Sequence, residues 1–316
     1  MADAYTQVSS LNSAGNEAFD RFFWYALRTK LHYDQFATII GAPFHQRTTH
    51  TFNITADLAE ATTPLTETVD PDAVAMSDSE VQITLDEYGN AVNVTWEAEG
   101  TDIYGVDVRA ANLIGYNAGK SQDSLARTQL VAGSNVQFVG QTAQGSIVAG
   151  NILSAAEIRK GVARMRGDDA IPWTMSDGRE MFGGLLHPDT SVDVRAEAGE
   201  GGFAPAVNRT AAGRRWAGVV GDYEGVIWVE TPRVVISTDA GDTNVDVYDN
   251  LIIGQEALAK AYSTSVSAPS AQVVRGPVVD KLMRFRPVGW KWLGGYGRFR
   301  EECLQRVESA SSIGSN

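Results

Sequence analysis

Residues 49–58, THTFNITADL, and residues 81–96, VQITLDEYGNAVNVTW, decide the fold predicted for this chain of 316 residues. Both segments alternate apolar with polar side chains, which is the period-two pattern of β-strands buried on one face. Pro64 and Pro71 interrupt the connection between them, so the pattern predicts an extended two-stranded arm with a long polar loop. The triplet Tyr88-Gly89-Asn90 predicts a turn or bulge that divides the second segment.

This arm carries a concentrated negative charge. Between Thr48 and Asp102 the chain has no Lys or Arg and twelve acidic residues, namely Asp57, Glu60, Glu67, Asp70, Asp72, Asp78, Glu80, Asp86, Glu87, Glu97, Glu99 and Asp102. Like charges at this density repel one another, and an isolated hairpin is only marginally stable in water. We therefore expect the arm to lie on a surface that supplies positive charge and apolar contacts, such as a second copy of the chain.

The remainder of the chain is close to neutral. The 26 basic and 39 acidic residues give a net charge of −13, and the arm contributes −12 of it. Residues 275–306 have the opposite sign, with eight basic and three acidic side chains. Complementary charges set partner choice and register more than affinity, so the pattern favours an assembling protein over a catalyst. The alternative is that both regions are ordinary solvated faces.

Composition narrows the class of protein further. A chain of this length can bury a large core without disulfide or metal cross-links. Its one cysteine, Cys303, excludes an intramolecular disulfide framework. Residues 1–11 lack the basic and apolar regions of a signal peptide, and no apolar run is long enough to span a bilayer. An acidic chain also binds DNA poorly, because phosphate neutralisation requires Lys and Arg. We expect neither secretion nor membrane insertion, and only weak contact with DNA.

The remaining periodicities predict an α+β architecture. Helices are expected at residues 16–40, at residues 103–131 with Asp102 as N-cap and Gly133 beyond the end, after the capping box Ser154–Glu157, and at residues 251–262. Strands are expected at residues 184–187, around Val226 and Trp228, at residues 234–236, and in late segments between Leu282 and Trp292. At about 1.5 Å per residue, the second of these helices would span about 43 Å.

Motifs of catalysis and metal binding are incomplete in this chain. The segment Gly115-Tyr-Asn-Ala-Gly119-Lys120-Ser121 has three residues between its glycines where a phosphate-binding loop needs four. Asp242, Asn244 and Asp246 match three ligands of an EF-hand, but Val247 and Ile253 replace its glycine and glutamate. The four histidines do not have the spacing of a zinc site. We therefore expect no catalytic residues, no bound metal and no cofactor.

Six segments, taken in order, resemble one protein family. They are TPLTE at 63–67, LDEYGN at 85–90, GLLHP at 184–188, GDYEGVIW at 221–228, LIIGQEA at 251–257 and RPVGWK at 286–291. The chain resembles the major capsid proteins of tailed bacteriophages, specifically the branch related to the coat protein of phage N-four. The resemblance covers most of the chain and rests on the order and spacing of these segments.

The resemblance implies a Hong Kong 97-type, or Johnson, fold with four parts. Residues 1–47 would form an N-terminal arm, residues 48–101 the E-loop hairpin, residues 102–180 and 272–316 a peripheral domain around the spine helix, and residues 181–271 an axial domain. It further implies a structural protein, not an enzyme, that self-assembles into the hexamers and pentamers of an icosahedral head enclosing packaged double-stranded DNA. Such a protein lies in the virion, assembles in the cytoplasm of the bacterial host, and has scaffolding, portal and cement proteins as possible partners.

In this fold the E-loop reaches across the peripheral domain of an adjacent subunit, which here includes the basic residues 275–306. The expected intersubunit contacts are Phe52, Ile54, Asp57, Glu60, Glu67, Asp70, Asp72, Val92 and Trp96 on the arm side, and Arg275, Arg284, Arg286, Arg298 and Arg300 on the basic side. Some relatives join an E-loop lysine covalently to an asparagine of a neighbour. Because this arm has no lysine, we expect its contacts to be non-covalent.

Two alternatives remain open for the sequence alone. An encapsulin-like nanocompartment shell would share the architecture but would hold a cargo enzyme. A carbohydrate-active enzyme built on acidic β-structure is the more distant alternative, because no catalytic pair of carboxylates can be identified from the sequence.

Overall fold

The computed structural model describes residues 32–42, 49–65, 67–68, 70, 72–101, 106–175, 178–196, 204–205, 216–277 and 280–314. Its helices are α1 (Trp96–Thr101), α2 (Val106–Val131), α3 (Ala155–Gly167) and α4 (Pro188–Ala196). Its strands are β1 (Ala37–Ala42), β2 (Thr49–Thr55), β3 (Asp78–Thr84), β4 (Asp86–Thr95), β5 (Val136–Phe138), β6 (Trp173–Thr174), β7 (Glu180–Leu186), β8 (Ala204–Pro205), β9 (Val219–Tyr223), β10 (Val226–Glu230), β11 (Ile236–Ser237), β12 (Val247–Ile253), β13 (Leu258–Ser263), β14 (Gln272–Arg275), β15 (Phe285–Arg298) and β16 (Leu304–Ser309). Short 3₁₀ helices lie at Asp34–Phe36, Gln144–Ser146 and Glu301–Cys303. This mixture of helices and sheets confirms the α+β class.

The strands of the described residues form three sheets. The largest has nine strands, seven of them in the order β5-β16-β12-β7-β10-β9-β8, while β11 pairs with β12 and β6 pairs with β7. The second sheet has the order β1-β13-β15-β14, and β4 pairs with β15 as its fifth strand. The third sheet contains only β2 and β3 and forms the arm.

The nine-stranded sheet holds the main core. Every residue of β12 is buried, and so are residues 181–186 of β7. Gly184 permits this packing, because a Cβ at that position would lie 2.3 Å from the ring of Trp228, which is 1% exposed. Strands covered on both faces have continuous apolar sequences, and this explains the run of apolar residues in β7 and β12.

The long helix α2 confirms the predicted spine from Val106 to Val131, while residues 102–105 lie outside the described residues. Ile114, Ala118 and Leu130 are among the residues that bury its inner face. Its 26 residues span about 39 Å at a rise of 1.5 Å per residue. Neither this helix nor any other in the described ranges is both long and apolar enough to cross a membrane.

The predicted helix at residues 251–262 is wrong. The strands β12 and β13 occupy this region and are joined by residues 254–257. The first four residues of β13 are buried like all of β12. A short apolar run buried on both faces has no diagnostic period, so the sequence pattern does not distinguish it from a segment of a buried helix.

The predicted turn at residues 88–90 is also wrong. These residues lie inside β4, which pairs with β15 without interruption from Asp86 to Thr95. Gly89 permits close approach of the two strands, because a Cβ there would lie 2.8 Å from the carbonyl oxygen of Trp290. Trp96, which the pattern placed in a strand, is the first residue of α1.

The predicted helix at residues 16–40 is wrong where it can be compared with the structure, and residues 1–31 lie outside the described residues. A 3₁₀ turn at residues 34–36 leads directly into β1, which pairs in parallel with β13. Thr38, Ile39 and Ile40 are β-branched, and their restricted side-chain rotamers favour a strand.

Buried polar contacts fix the segment that precedes β1. The carboxylate of Asp123 on α2 accepts hydrogen bonds from the backbone N–H groups of His32 and Tyr33, at 2.9 and 2.8 Å. Asp34 forms an ion pair with Lys260, whose Nζ lies 2.7 Å away and whose side chain is 2% exposed. These contacts therefore hold the segment before β1 in a fixed position between α2 and the five-stranded sheet.

The helix after Ser154 is confirmed as α3, but the capping box is not formed. The Ser154 side chain makes no capping hydrogen bond. Glu157 is buried and instead accepts a hydrogen bond of 2.7 Å from Gln137. Glu157, at the third position of the helix, thus makes a tertiary contact instead of capping the helix.

The strand predictions in the second half of the chain are largely confirmed. β7 ends before Pro188, the first residue of α4, where the missing N–H of proline is tolerated. Val226 and Trp228 lie in β10, and the late strands are one long strand, β15. The ends of these predictions differ from the structure: His187 follows β7, Val234 and Val235 precede β11, and Leu282 precedes β15.

Candidate functional site

The arm is a hairpin of β2 and β3. Its residues pair from Thr49 with Thr84 to Thr55 with Asp78, and side chains on β2 alternate between half-buried and exposed from Thr51 onward. A hydrogen bond of 2.9 Å from the N–H of residue 56 to the carbonyl of residue 77 extends the ladder. Residues 57–76, called the arm loop below, connect the strands and contain neither helix nor strand in the part that the structure describes.

The base of the arm packs on the five-stranded sheet. Ile83 at the end of β3 is 1% exposed and Leu85 just after it is 7% exposed. Both belong to a small apolar cluster with Ala259 and Ala261 of β13. The small alanines leave room for the two larger side chains, so the arm is joined to the body by a packed contact.

Two glycines of β15 allow β3 to lie against that strand. A Cβ at Gly295 would lie 2.0 Å from the carbonyl oxygen of Thr84, and a Cβ at Gly297 would lie 2.6 Å from the side chain of Ile83. Side chains cannot occupy these positions while β3 stays where it is. The glycines therefore position the arm, and the sequence pattern did not reveal their role.

The arm loop presents apolar side chains to solvent. Leu58 is 57% exposed, Leu65 77%, Val74 69% and Met76 72%. Single exposed apolar residues are normal on a monomer, but several on one projecting loop indicate a contact surface. Reasoning from the sequence missed these four residues, although apolar side chains spaced through an acidic loop are a readable signal.

The acidic side chains of the arm loop face solvent. In the ranges that the structure describes, Asp57, Glu60, Glu67, Asp70 and Asp72 are exposed and form no ion pair. Their mutual repulsion is relieved only by solvent ions or by a surface outside this chain. The sequence-predicted acids of the loop are thus available for contact with another molecule.

Four of the five arginines expected to receive the arm already have acidic partners in their own chain. The ion pairs are Arg284 with Asp280 at 3.0 Å, Arg286 with Glu99 at 2.6 Å, Arg298 with Glu301 at 3.1 Å and Arg300 with Glu256 at 3.0 Å. All four guanidinium groups are partly exposed. An acid from another chain would therefore share a guanidinium or displace its present partner.

The apolar residues predicted to make contacts lie in two separate places. Phe52 is half-buried and packs edge to face on Phe299 of the same chain, with ring centroids 5.5 Å apart, and Ile54 is half-buried on the same strand. Val92 is 39% exposed on β4 and Trp96 is 65% exposed beyond its end. Phe52 thus fixes the arm to its own body, whereas Trp96 remains available to other molecules.

Trp96 belongs to a second exposed apolar area. The backbone N–H of Trp96 donates a hydrogen bond of 2.7 Å to the carbonyl of Arg284, so Trp96 lies beside the start of β15. Leu282, Met283 and Phe285 are 74%, 55% and 39% exposed there, and with Trp96 they are called the Trp96 surface below. The sequence pattern assigned Leu282 and Phe285 to late strands but did not reveal their exposure, because exposure of an apolar residue at a strand end leaves no periodic signal.

Arg275, the remaining predicted contact, lies on β14 opposite Val288 of β15. It is half-buried, so less of it is available than of the exposed Arg284 and Arg286. The structure thus distributes the basic residues along β14 and β15 and does not concentrate them in one patch.

Cys303 and the acidic turn at residues 239–246 have structural roles. Cys303 is 1% exposed, and burial, more than the nearby Glu302 carboxylate, raises the pKa of its thiol. The Asp246 carboxylate accepts a hydrogen bond of 2.9 Å from the N–H of Asp239. Within the described ranges, no three potential metal ligands lie together.

Comparison with known proteins identifies the family. A family model described as phage capsid protein matches residues 46–312. The capsid of Ralstonia phage GP4 has a TM-score of 0.75 and 13% identity, over 90% of this chain and 92% of that chain. The cyanophage Pam1 capsid asymmetric unit has a TM-score of 0.65 and 16% identity, over 86% and 89%. No curated protein matches the chain.

The head structure of Helicobacter pylori bacteriophage KHP40 is also similar, with a TM-score of 0.62 and 11% identity over 90% of this chain and 91% of that chain. At such low identities the structural matches establish the fold, and they confirm the Hong Kong 97-type fold expected from the sequence. The family model extends from the arm to beyond β16, so it covers both the arm and the body. The chain therefore belongs to the phage capsid protein family and has the fold of tailed-phage major capsid proteins.

Proposed function

We propose that this capsid protein assembles into hexamers and pentamers of an icosahedral head that encloses packaged double-stranded DNA. Assembly takes place in the cytoplasm of the bacterial host, and the product is the capsid of the virion. The observation that carries the proposal is the arm loop, which exposes four apolar side chains and acids that form no ion pair among the described residues. Such a loop gains stability only when another molecule covers it.

The geometry of the arm supports a contact between copies. The ladder of β4 and β15 ends at the pair Asp86–Gly294, and β3 continues in the same direction along Gly295 and Gly297. The arm loop thus lies beyond one end of β15, and the Trp96 surface lies at the other end. At about 3.3 Å per strand residue, these surfaces are on the order of 50 Å apart.

Two complementary surfaces at opposite ends of one chain favour head-to-tail association. The arm loop of one copy would lie on the peripheral domain of the next, near its β15 and its Trp96 surface. Repetition of such a contact closes into a ring when the rotation between copies is a simple fraction of a turn. Rings of five and six subunits are the capsomers of the proposed head.

The four-part layout is proposed with the boundaries given above. Its hairpin at 48–101 includes β2, β3 and β4, and its spine helix is α2. The proposed axial domain at 181–271 includes most strands of the nine-stranded sheet. Its last strand, β13, pairs with β15 of the proposed peripheral domain. The two domains are therefore expected to move little relative to each other.

We propose that the shell is held without covalent links. The arm lacks lysine, so the lysine–asparagine bond of some relatives has no nucleophile on this arm. Apolar burial at about 25 cal/mol per Å² would supply most of the attraction for the arm loop. Exposed ion pairs contribute about 0–1 kcal/mol each, so the charges would chiefly select the register of the contact.

Further partners follow from the proposed role. Scaffolding, portal and cement proteins would contact the shell. Packaged DNA would contact the shell only weakly, because the chain carries a net charge of −13. A shell subunit needs no catalytic site, and we propose no enzymatic activity for this chain.

Negative-stain electron microscopy of the purified full-length chain tests the proposal. We expect rings or closed shells built from five- and six-membered capsomers. A protein that stays monomeric across protein and salt concentrations would contradict the proposal. DNA content then distinguishes a phage head from a nanocompartment: in infected cells the shells should contain DNA, and shells that hold a cargo enzyme instead would favour the alternative.

A further inference from the structure

Asp249 on β12 and Glu308 on β16 form a buried pair of acids. They lie directly opposite each other in the antiparallel ladder, and they are 4% and 3% exposed. One oxygen of each carboxyl group, Oδ1 of Asp249 and Oε2 of Glu308, has no hydrogen-bond partner among the described residues. Two neighbouring acids are thus buried with less hydrogen bonding than two carboxylates require.

One guanidinium group lies beside this acid pair. Nε of Arg306 is 3.1 Å from Oε1 of Glu308, and Nη1 of Arg306 donates to the carbonyl of Val131, the last residue of α2. Arg306 therefore joins the acid pair on the sheet to the end of the long helix. If both acids were ionised, two buried negative charges would face one positive charge, which is a costly arrangement in the interior.

The other charged groups near this face are engaged elsewhere. Asp123 on α2 is paired with Arg233, which lies between β10 and β11, at 2.5 Å. Arg127 on α2 donates to the carbonyl of Arg233 at 2.9 Å. The hydroxyl of Tyr33 donates to the same carbonyl at 3.2 Å, and the negative charge of Asp249 contributes to the raised pKa of Tyr33. Arg306 is thus the cation that compensates the acid pair.

We propose that Asp249 and Glu308 share one proton and form a pH-sensitive contact, which holds the nine-stranded sheet against the end of α2 more firmly in mildly acidic than in neutral solution. The shared proton removes the surplus negative charge and gives one carboxyl group a donor toward the other. Its loss at higher pH leaves two carboxylates in competition for Arg306 and weakens the bond from Arg306 to Val131.

The direction of the pH dependence follows from the protonation of Asp249. Burial, and then the Glu308 carboxylate, raise the pKa of Asp249 from 3.8 to about 6, and Arg306 opposes this shift. A carboxyl group with a raised pKa in the folded state binds its proton more tightly there than in the unfolded chain. The resulting stabilisation is complete below the unfolded pKa of about 4, and it is lost as the pH rises through the folded pKa of about 6. A difference of about two pKa units corresponds to about a 100-fold change in the folding equilibrium constant.

Equilibrium unfolding in urea, at about pH 5 and about pH 7.5, tests the proposal on the full-length chain. The substitution Asp249→Asn keeps a hydrogen-bond donor toward Glu308 but removes the titrating proton. We expect a wild-type loss of about 10-fold in the folding constant between the two pH values, because part of the stabilisation is already lost at about pH 5, and a much smaller loss in the variant. The exposed Asp242 supplies a matched control, because Asp242→Asn should keep the wild-type pH dependence.

Parallel pH dependence of the wild type and Asp249→Asn would overturn the proposal. If the variant does not fold, infrared spectroscopy of the wild type decides the question. The C=O stretch of a buried protonated carboxyl group should be present at about pH 5 and absent at about pH 7.5. Its absence at the lower pH would overturn the proposal as well.

Discussion

At the scale of single residues, Asp123 joins three parts of the molecule through one carboxylate. It is fully buried on α2, accepts hydrogen bonds from the backbone N–H groups of His32 and Tyr33, and pairs with Arg233. Burial raises the pKa of Asp123, although these hydrogen bonds and Arg233 act in the opposite direction. An acid on a helix normally faces solvent, so the sequence alone gave no reason to expect this role.

The substitution Asp123→Ala should lower the free energy of unfolding by about 3–5 kcal/mol. The reason is that Arg233 loses its buried partner and two backbone N–H groups lose their acceptor. Denaturant titration measures the change. The exposed acid Glu302 supplies the control, since Glu302→Ala should change the free energy by less than about 0.5 kcal/mol. Equal effects of the two substitutions would mean that the carboxylate of Asp123 does not stabilise the fold.

At the scale of elements, β15 organises the part of the body that carries the arm. Its 14 residues pair with β4, β13 and β14, and its glycines admit the base of the arm. The arm strand β3 lies on β15 through Gly295 and Gly297, and Ile83 fills the space that these glycines leave. The direction of the arm therefore depends on the absence of side chains at Gly295 and Gly297 of β15.

The substitution Gly295→Ala should displace the base of the arm, because the new Cβ would lie 2.0 Å from the carbonyl oxygen of Thr84. We expect a loss of stability of about 1–3 kcal/mol and faster proteolytic cleavage within the arm. Limited proteolysis followed by mass spectrometry locates the cleavage. Gly100→Ala is the control, since no atom lies within 4 Å of a Cβ there. Identical cleavage of both variants would contradict a positioning role of Gly295.

Elements with a strong and unambiguous period could be predicted from the sequence. The alternation Phe52, Ile54 and Val81, Ile83 specified the arm strands, and the long apolar stripe before Gly133 specified α2. These patterns are local, because each element buries one face only. The two arm strands were therefore predicted, but most of the segment 81–96 forms β4 of the five-stranded sheet and β3 begins earlier, at Asp78.

The wrong secondary-structure predictions have physical causes that lie outside the local sequence. β12 and β13 are buried on both faces, so their apolar runs carry no period. Gly89 is a glycine because the carbonyl of Trp290 approaches it, and such an approach cannot be distinguished from a turn without the partner strand. The exposed Leu282 and Met283 were missed because the sequence does not state which strand ends face solvent.

At the scale of the whole molecule, the charge has a different meaning from that suggested by the sequence. Five arginines of the C-terminal region are paired within the chain, for example Arg286 with Glu99. The arm loop keeps its acids unpaired among the described residues, next to exposed apolar side chains such as Leu65 and Met76. We therefore expect apolar burial to supply the attraction between copies, and the acids to discourage wrong contacts.

The central claim is that the arm loop binds a second copy of the chain. Its direct test is a variant in which residues 57–76 are replaced by Asn-Gly, a dipeptide that closes a two-residue hairpin between Ala56 and Ser77. A comparison variant keeps the loop but converts its five acids, Asp57, Glu60, Glu67, Asp70 and Asp72, to the corresponding amides. This variant should still assemble, with a weaker dependence on salt concentration.

Sedimentation velocity of the loop-replacement variant beside the wild type is the decisive measurement. The variant should keep the wild-type circular dichroism spectrum and thermal unfolding midpoint, because the arm base at Ile83 and Leu85 is unchanged. We predict closed shells for the wild type and only monomers or small oligomers for the variant. Shells of normal size and yield from the loop-replacement variant would contradict the account.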